Sequence, residues 1–388
     1  MLKVYLNRNE EKEKLNGYPW IFNNEINHFD GEIKSGEVCE VRTFENKFLC
    51  YGFLNTSSKI MVRILTLNEN EKINEEFFEK RIIDAIEHRK NIGFYETCRL
   101  IFSEADFLPG LVVDKYGEYL CIQISSLGIE YIRDMIIKLL IKHVSPKGIY
   151  ERSDSPSRLK EGLELKTGIV YGDFNPKVLA TENGVKFYVD MENGQKTGYF
   201  LDQKMNREMV KFYSKDRVVL DCFSNVGGFA LQAAKNGAKH VLATDISALA
   251  CEEIKTNAEL NNFDNIEVLK CDVFDFLRNK DNYNKFDTII LDPPAFTKDK
   301  DSVKNAIKGY KEINLQALKM IKRGGYLLTF SCSQHMKPDM FLAMLEEAGR
   351  DSKRTIQFVD FRVQAMDHLM LLSGDEKLYL KCVVLRVL

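Results

Sequence analysis

The second half of the chain alternates apolar strand-like runs with helix-like runs, and this pattern constrains the fold more than any other feature. From about residue 190 the predicted strands are RVVLDCF, HVLATDIS, IEVLKCD, FDTIILDPP and GYLLTFSCS, with a helical segment between each strand and the next. Strands that are apolar along their whole length are buried on both faces, as in a parallel sheet covered by helices. The pattern therefore predicts an α/β fold with a doubly wound parallel sheet.

The first half of the chain contains different elements. Residues 1–70 alternate apolar and polar side chains around turns, as in GEVCEVRTFENKFLCYGFLN, which predicts a small barrel of short strands. Residues 71–188 combine a helical pattern, EKINEEFFEKRIIDAIEHRKNI, with short strands such as GLVVDKYGEYLCIQIS, which predicts a central α+β domain. Together with residues 189–388, these segments predict three domains, as expected for a chain of 388 residues.

Composition excludes several classes of protein. The net charge of −2 argues against a general nucleic-acid coat protein, which binds by neutralising many phosphates. The nine cysteines occur singly, without zinc-ligand spacing, so no metal site is predicted. An odd number of cysteines favours a reducing compartment, and no apolar run reaches the roughly 18 residues of a membrane span. We therefore expect a cytoplasmic protein that does not associate with membranes.

One segment is locally basic. Residues 298–323 hold eight lysines and arginines against three acids, an excess of +5. A solvated helix face is the ordinary explanation of such a run. The alternative is a patch that contacts the phosphates of a nucleic acid, and the sequence leaves both open.

Acidic residues follow three successive predicted strands, and a glycine pair lies beside the first. Carboxyl ends of parallel strands meet at one edge of the sheet, where open α/β sheets bind their ligands. An acid in the position of Asp245 suits the hydroxyls of a ribose, and Asp272 is placed to face an adenine amino group with Val273 against the ring. Taken singly, each acid also fits a helix cap and the glycines a tight turn. The residues of this set are Asp221, Phe223, Ser224, Asn225, Gly227, Gly228, Asp245, Ile246, Ser247, Asp272 and Val273.

The next predicted strand ends in the loop DPPAF. Asp292 ends the strand, and Pro293 and Pro294 stiffen the loop and remove two amide donors while their carbonyls stay available to an exocyclic amine. Phe296 offers a ring on which a base can stack. This combination is typical of enzymes that methylate amino groups or bases. The last predicted strand ends in Ser-Cys-Ser, which places Cys332 beside the strand of Asp292.

These motifs, with NGQKTGYFLDQKMNR at residues 193–207 and GYPWIFNNEI near the start, resemble one enzyme family over the whole chain. The chain is similar to the bacterial 23S rRNA cytosine-C5 methyltransferases, class I S-adenosylmethionine-dependent enzymes with an N-terminal PUA domain. The resemblance implies a PUA-like RNA-binding barrel, a Rossmann-like methyltransferase domain and S-adenosylmethionine as cofactor. It implies 23S rRNA as partner, free or in a precursor subunit, and is compatible with a homodimer.

The resemblance also assigns roles within the site. The loop set above, together with Asp292, would bind the cofactor, and Pro293, Pro294 and Phe296 would hold the base. Cys332 would be the nucleophile that attacks C6 of cytosine and makes C5 reactive toward the methyl group. Asp292 would hydrogen-bond N3 of the base. For Arg207 two roles stay open: a contact with the cofactor carboxylate, or a place on the surface of a helix.

The sequence departs from a related pattern in one respect. Many RNA cytosine-C5 methyltransferases carry a second cysteine in the DPP-type loop, whereas this loop is Asp-Pro-Pro-Ala-Phe. The base that removes the C5 proton is therefore unassigned. Two alternatives stay open: methylation of a guanine ring nitrogen (N7) in the same RNA without a covalent step, and a non-catalytic RNA-binding factor in ribosome assembly.

Overall fold

The structure is a computed structural model that describes residues 1–297, 302–374 and 378–388, and its residues group into two compact units. The first unit contains Met1–Ala180, Val189–Leu201 and the described part of Met366–Lys377. The second contains Thr181–Tyr188, Asp202–Ala365 and Leu378–Leu388. The predicted barrel and most of the predicted central domain thus fall in one unit, and the division into three domains stays a prediction.

The first unit contains two sheets. A six-stranded sheet has the order β2-β6-β5-β4-β1-β3, and a five-stranded sheet has the order β11-β10-β9-β8-β7. Its strands are β1 Lys3–Leu6, β2 Trp20–Phe22, β3 Ile26–Asp30, β4 Val38–Arg42, β5 Phe48–Leu54, β6 Ile60–Thr66, β7 Thr97–Phe102, β8 Leu111–Tyr116, β9 Tyr119–Ile124, β10 Gly148–Ser153 and β11 Lys166–Tyr171. Its helices are α1 Glu11–Leu15, α2 Glu75–Asn91, α3 Leu127–Tyr131, α4 Arg133–Val144 and α5 Pro156–Leu159.

Local sequence explains these elements. The predicted ENK turn joins β4 to β5, and Asn46 adopts the left-handed conformation (φ 62°) that such turns require. Helix α2 begins after Asn74, whose side chain accepts a hydrogen bond from the amide of Phe77 at 3.1 Å. Its apolar side chains, among them Ile82 and Ile86, are buried in the core of the five-stranded sheet.

A two-stranded hairpin forms a sheet of its own. It pairs β12 Lys177–Glu182 with β13 Val185–Asp190. The turn residues Asn183 and Gly184 both have positive φ, 49° and 72°. An Asn-Gly pair is the sequence best suited to such a turn, because its twist matches that of the two strands.

The second unit is built on a seven-stranded sheet of order β16-β15-β14-β17-β18-β20-β19. Its first five strands are parallel and β20 runs antiparallel to its neighbours, which confirms the predicted doubly wound α/β fold. Its strands are β14 Val218–Cys222, β15 His240–Asp245, β16 Ile266–Lys270, β17 Phe286–Leu291, β18 Ile321–Ser331, β19 Ile356–Arg362 and β20 Lys381–Val387. Its helices are α6 Lys204–Met209, α7 Lys211–Ser214, α8 Gly228–Lys235, α9 Ala248–Leu260, α10 Val273–Arg278, α11 Val303–Met320 and α12 Pro338–Ser352.

Alternate residues of the central strands fill two separate cores. Leu220 and Ile289 belong to the cluster on one face of the sheet, whereas Val219 and Ile290 belong to the cluster on the other. Because both faces are covered, each strand can be apolar throughout, and each fully buried aliphatic side chain contributes about 1.5–3 kcal/mol. The strand order reverses between β14 and β17, which is the point where such sheets bind ligands.

The structure corrects the boundary between α11 and β18. The predicted strand GYLLTFSCS begins at Gly325, but α11 ends at Met320 and β18 begins at Ile321. Gly324 has φ +85°, and a Cβ at Gly325 would lie 2.5 Å from the carbonyl oxygen of Asp287. These glycines therefore shape the entry of the strand rather than end a helix. None of the described helices is both long and apolar enough to cross a lipid bilayer.

Candidate active site

The loop between β14 and α8 is held in a conformation that few side chains tolerate. Phe223, Asn225 and Gly227 all have positive φ, 61°, 51° and 88°. A Cβ at Gly227 would lie 3.2 Å from Ile254, so the position needs glycine for both space and conformation. The hydroxyl of Ser224 donates to the carbonyl of Asp221 at 2.8 Å and fixes the start of the loop.

Asp221 is a fully buried acid at the carboxyl end of β14. Its Oδ2 accepts a hydrogen bond from the amide of Ala230 at 3.0 Å, and its Oδ1 has no partner in the part of the chain that the structure describes. Burial, together with the charges of Asp292 and Asp245, raises the pKa of Asp221 to about 7. The three carboxylates therefore repel one another, and a bound cation would relieve that repulsion.

Asp245 holds the neighbouring loops through both of its oxygens. Oδ2 accepts from the amide of Asn225 at 3.0 Å, and Oδ1 accepts from the amide of Ser247 at 2.9 Å. The N-cap of α9 is Ser247, whose hydroxyl accepts from the amide of Ala250 at 3.3 Å. A carboxylate has about four acceptor positions, so two hydrogen bonds leave capacity for ribose hydroxyls. The ribose contact stays a prediction, as does the role of Ile246, which is 65% exposed beside it.

Asp272 caps helix α10. Its Oδ1 accepts from the amides of Phe274 and Asp275 at 2.7 and 3.3 Å, which is the cap that the sequence offered as one explanation. The next residue, Val273, is buried in the core beneath the sheet edge. The structure thus shows the helix cap at Asp272, and the contact of Asp272 and Val273 with an adenine stays a prediction.

Asp292 is oriented by a short chain of amides. The side-chain nitrogen of Gln203 donates to Oδ1 of Asp292 at 3.0 Å, and Asn206 in turn donates to the oxygen of Gln203 at 2.8 Å. Both amides are buried. Gln203 lies in the motif NGQKTGYFLDQKMNR at residues 193–207, but no role was predicted for it from the sequence. The motif itself was the sequence signal for such a role, because a contact between residues 89 positions apart leaves no local pattern.

The two prolines of the loop after Asp292 differ in their exposure to solvent. Pro293 is buried and Pro294 is exposed. The ring of Phe296 is half-buried, 4.5 Å from the ring of Tyr310 between centroids, and it closely approaches helix α11 at Gly309, where a Cβ would be 3.2 Å from the ring. Part of the ring thus packs on the protein, and base stacking on the remainder stays a prediction.

Cys332 follows directly after β18 and is partly exposed, as is Cys271, whereas the other seven cysteines are buried. The hydroxyl of the next residue, Ser333, shares a hydrogen bond of 3.0 Å with the hydroxyl of Tyr310. The ammonium of Lys381 donates to the carbonyl of Ser333 at 2.7 Å and to that of Tyr379 at 2.8 Å. Lys381 was not predicted as a site residue, because it lies on β20, beyond the last predicted strand.

The structure excludes one of the two roles predicted for Arg207, and the other, a contact with the cofactor carboxylate, stays a prediction. Arg207 is 3% exposed, so the prediction of a place on a helix surface is wrong. Its guanidinium donates to both oxygens of Glu182, at 2.5 and 2.8 Å. A buried bidentate pair of this kind fixes the position of helix α6, and with it Gln203 just before that helix.

The basic segment is only partly described. Lys298 and Lys300 lie outside the described residues, and Lys304 and Lys308 are exposed on α11. Lys311 pairs with Glu347 and Asp351 on α12. In the described part of the segment Lys304, Lys308 and Arg323 are therefore exposed, whereas Lys311 and Lys322 form ion pairs within the protein.

These residues fit the cofactor that the sequence resemblance implies. S-adenosylmethionine carries a sulfonium and an amino group, both cationic, and the carboxyl groups of Asp221, Asp245 and Asp292 can provide the counter-charge. A bound cation would favour the ionised form of Asp221, whose pKa is raised in its absence. The buried Oδ1 of Asp221 is an unused acceptor among the described residues. Within residues 1–297, 302–374 and 378–388 no cluster of His, Cys, Asp and Glu could hold a metal ion.

Comparison with known families places a match on each half of the chain. Residues 4–67 match the model of a PUA-like domain, which confirms the predicted PUA-like barrel. Residues 172–369 match the model of S-adenosylmethionine-dependent methyltransferases. The second match contains the loop after β14, the DPPAF motif and Cys332.

Several relatives are similar over their full length. The chain is 40% identical to a protein of Aliivibrio fischeri (strain MJ11) named ribosomal RNA large subunit methyltransferase I, over 100% of this chain and 99% of the relative. It is 39% identical to a protein of the same name in Klebsiella pneumoniae (strain 342), over 100% and 98%.

Solved structures share the fold. The crystal structure of SMU.776 complexed with SAH matches with a TM-score of 0.83 at 22% identity, over 100% of both chains. The tRNA m1G37 methyltransferase of M. jannaschii matches with a TM-score of 0.52 at 20% identity, over 84% of this chain and 82% of that one. At these identities the likeness is one of fold.

Proposed function

The chain belongs to the family of S-adenosylmethionine-dependent methyltransferases, and from this premise we propose that it methylates C5 of a cytosine in 23S rRNA. Cys332 is the nucleophile of this reaction and Asp292 orients the base. The cofactor supplies an electrophilic methyl group. The enzyme acts on free RNA or on a precursor of the large subunit, which places it in the cytoplasm, and a homodimer stays a prediction.

The observation that carries the proposal is the position of Cys332. In the parallel pairing of β17 and β18, Leu291 is opposite Thr329, so Asp292 and Cys332 follow neighbouring strand ends. A partly exposed thiol at that edge is unusual in this chain, since seven of nine cysteines are buried. Cytosine C5 needs a nucleophile at C6 before it can accept a methyl group, and a thiolate is the side chain best suited to that attack.

The residues of the site divide the reaction between them. Attack of the Cys332 thiolate forms a bond between sulfur and C6, and C5 becomes the nucleophile that takes the methyl group. Asp292, held by Gln203, shares a proton with N3 of the ring, and this proton neutralises the negative charge that the attack places there. Transfer of the C5 proton to a base outside this set of side chains then allows the sulfur to leave C6, which restores the thiolate and the aromatic ring.

The choice of RNA rests on the relatives and on the N-terminal match. Both relatives described above carry the name of a large-subunit ribosomal RNA methyltransferase and align with the whole chain. The PUA-like match at residues 4–67 is of a kind associated with RNA binding. We therefore extend their substrate class to this chain.

The test is methylation of 23S rRNA transcribed in vitro, followed by mass spectrometry of the nucleosides. We expect 5-methylcytidine with the wild type, none with Cys332→Ser, and an undiminished yield with Cys271→Ser, which removes the other partly exposed thiol. A methylated guanosine, made equally by Cys332→Ser, would overturn the proposal.

That outcome would favour the second candidate, methylation at N7 of a guanine. The observation in its favour is the loop from Asp292 to Thr297, which contains no second thiol to assist product release. In that reaction the lone pair of the ring nitrogen attacks the methyl group directly, and Asp292, Pro293 and Phe296 only hold the base. The non-catalytic alternative loses its support, because the chain belongs to an enzyme family.

A further inference from the structure

Lys381 is a fully buried lysine beside the proposed nucleophile. It begins β20, directly opposite Ser331 in the antiparallel pairing with β18. Side chains of opposed residues leave the same face of a sheet about 5 Å apart. Lys381 thus pairs with the residue before Cys332, and it also donates a hydrogen bond of 2.7 Å to the carbonyl of the residue after Cys332, Ser333.

A buried ammonium at this place needs an explanation. Loss of hydration disfavours a buried charge, so an uncharged side chain would fill the space at a lower cost in free energy. Burial, with a smaller contribution from the charge of Lys337, lowers the pKa of Lys381 to about 8. The negative charge of a Cys332 thiolate acts in the opposite direction and raises that pKa. Coupling between two titrating groups is mutual, so the ammonium favours the thiolate as much as the thiolate favours the ammonium.

We propose that Lys381 is a positioning residue whose ammonium, fixed to the turn after β18, holds Cys332 in its thiolate form. The thiol proton passes to solvent, and Lys381 keeps its own proton. Two of its three N–H groups are used by the carbonyls of Ser333 and Tyr379, so the charge stays beside the turn. The inference rests on the proposed function, since it explains how the nucleophile is activated.

The charged groups around the pair set the pH range of the effect. Tyr310 on α11 interacts with Cys332, and burial raises the pKa of that phenol, so it is neutral at physiological pH. Lys337 lies at the start of α12 and is exposed. On β20 the neighbouring Cys382 is influenced by Arg362, Asp292 and Asp360, and burial keeps its pKa well above the ordinary value. Lys381 is therefore the buried cation at this turn among the described residues, and its effect fades above about pH 8 as it loses its proton.

The experiment measures thiol reactivity in the protein alone, without RNA. Iodoacetamide reacts with thiolates, and peptide mass spectrometry reads the alkylation of each cysteine between pH 6 and pH 9. In Lys381→Met we expect alkylation of Cys332 at pH 7 to slow about tenfold, the equivalent of one pH unit in the rate profile. Lys381→Arg keeps the charge and should stay within about twofold of the wild type.

Two controls accompany these variants. Lys322→Met removes a lysine from the opposite end of β18, where it pairs with Asp287, and should leave the Cys332 rate unchanged. Cys271 provides an internal reference in every sample, because it is partly exposed and burial raises its pKa to about 11. Its alkylation should be slow and equal in all variants.

An identical Cys332 profile in Lys381→Met and the wild type would overturn the inference and leave Lys381 as a structural clamp. If Lys381→Met does not fold, the wild-type profile decides: a midpoint at or above the ~8.5 of a free cysteine would overturn it equally. Failure here is distinct from failure of the proposed function, because RNA methylation by Cys332→Ser tests the nucleophile and alkylation tests only its activation.

Discussion

The raised pKa of Asp221 makes a quantitative prediction about stability. The folded protein holds this carboxyl at a pKa of about 7, against an ordinary value of 3.8. A raised folded pKa means that the folded state binds the proton more tightly than the unfolded state does. The stability contributed by the protonated form is therefore complete below the unfolded pKa and is lost as pH rises through 7.

The magnitude follows from the shift. About three pH units at 1.36 kcal/mol each give about 4 kcal/mol for the whole transition, of which roughly 2–3 kcal/mol fall between pH 5 and pH 8. This is a large part of the 5–15 kcal/mol that stabilises a typical domain. In Asp221→Asn the side chain stays neutral at every pH and keeps an oxygen for the amide of Ala230, so this loss disappears.

The assay is urea unfolding of the ligand-free protein at pH 5 and pH 8, followed by circular dichroism. Between the two pH values the wild type should lose roughly 2–3 kcal/mol more than Asp221→Asn. Asp275→Asn, at an acid whose side chain is 82% exposed, is the matched control and should follow the wild type. Equal losses in the wild type and Asp221→Asn would show that the buried carboxyl is already ionised at pH 5, and would refute the reasoning.

Three further predictions follow from the site and its supports. Asp245→Ala should weaken S-adenosylmethionine binding by about 1.5–3 kcal/mol in calorimetric titration, and unchanged affinity in a folded variant would show that Asp245 only holds the loops. Arg207→Met should lower the free energy of unfolding by about 3–5 kcal/mol in urea titration, because it removes the cation and both of the hydrogen bonds that it donates to the buried Glu182, and a loss below 1 kcal/mol would contradict this. Replacing Lys304 and Lys308 together with Gln should weaken RNA binding and reduce the slope of log affinity against log salt by up to about 2, whereas an unchanged slope would identify a solvated helix face.

The sequence predicted the parallel strands of the second unit because they are buried on both faces. Strands such as β14 and β17 carry unbroken apolar runs, and this pattern does not depend on any distant residue. The same kind of signal was present but unused near the end of the chain, where KCVVLRV forms β20 and FLAMLEEAG lies in α12. No strand was predicted after Ser333, so β19 and β20, which complete the sheet, were missed.

The acids at the strand ends were found for a similar reason, since topology brings the ends of parallel strands together. Their partners were not predictable. Gln203 reaches Asp292 across 89 positions, and Lys381 reaches Ser333 across 48. Such contacts depend on register and side-chain direction, which local sequence does not determine. For Asp272 the local rule for a helix cap described one oxygen correctly, because capping involves only neighbouring residues.

The central claim is that Cys332 becomes bonded to the base during methyl transfer. A 23S rRNA fragment that carries 5-fluorocytidine at the target cannot lose a proton from C5, so the bond between sulfur and C6 should persist. We expect a protein–RNA complex that survives denaturing electrophoresis, that forms only with S-adenosylmethionine and that is absent in Cys332→Ser but present in Cys271→Ser. Methylation of the unmodified RNA by Cys332→Ser at the wild-type rate, with no trapped complex in the wild type, would contradict the claim.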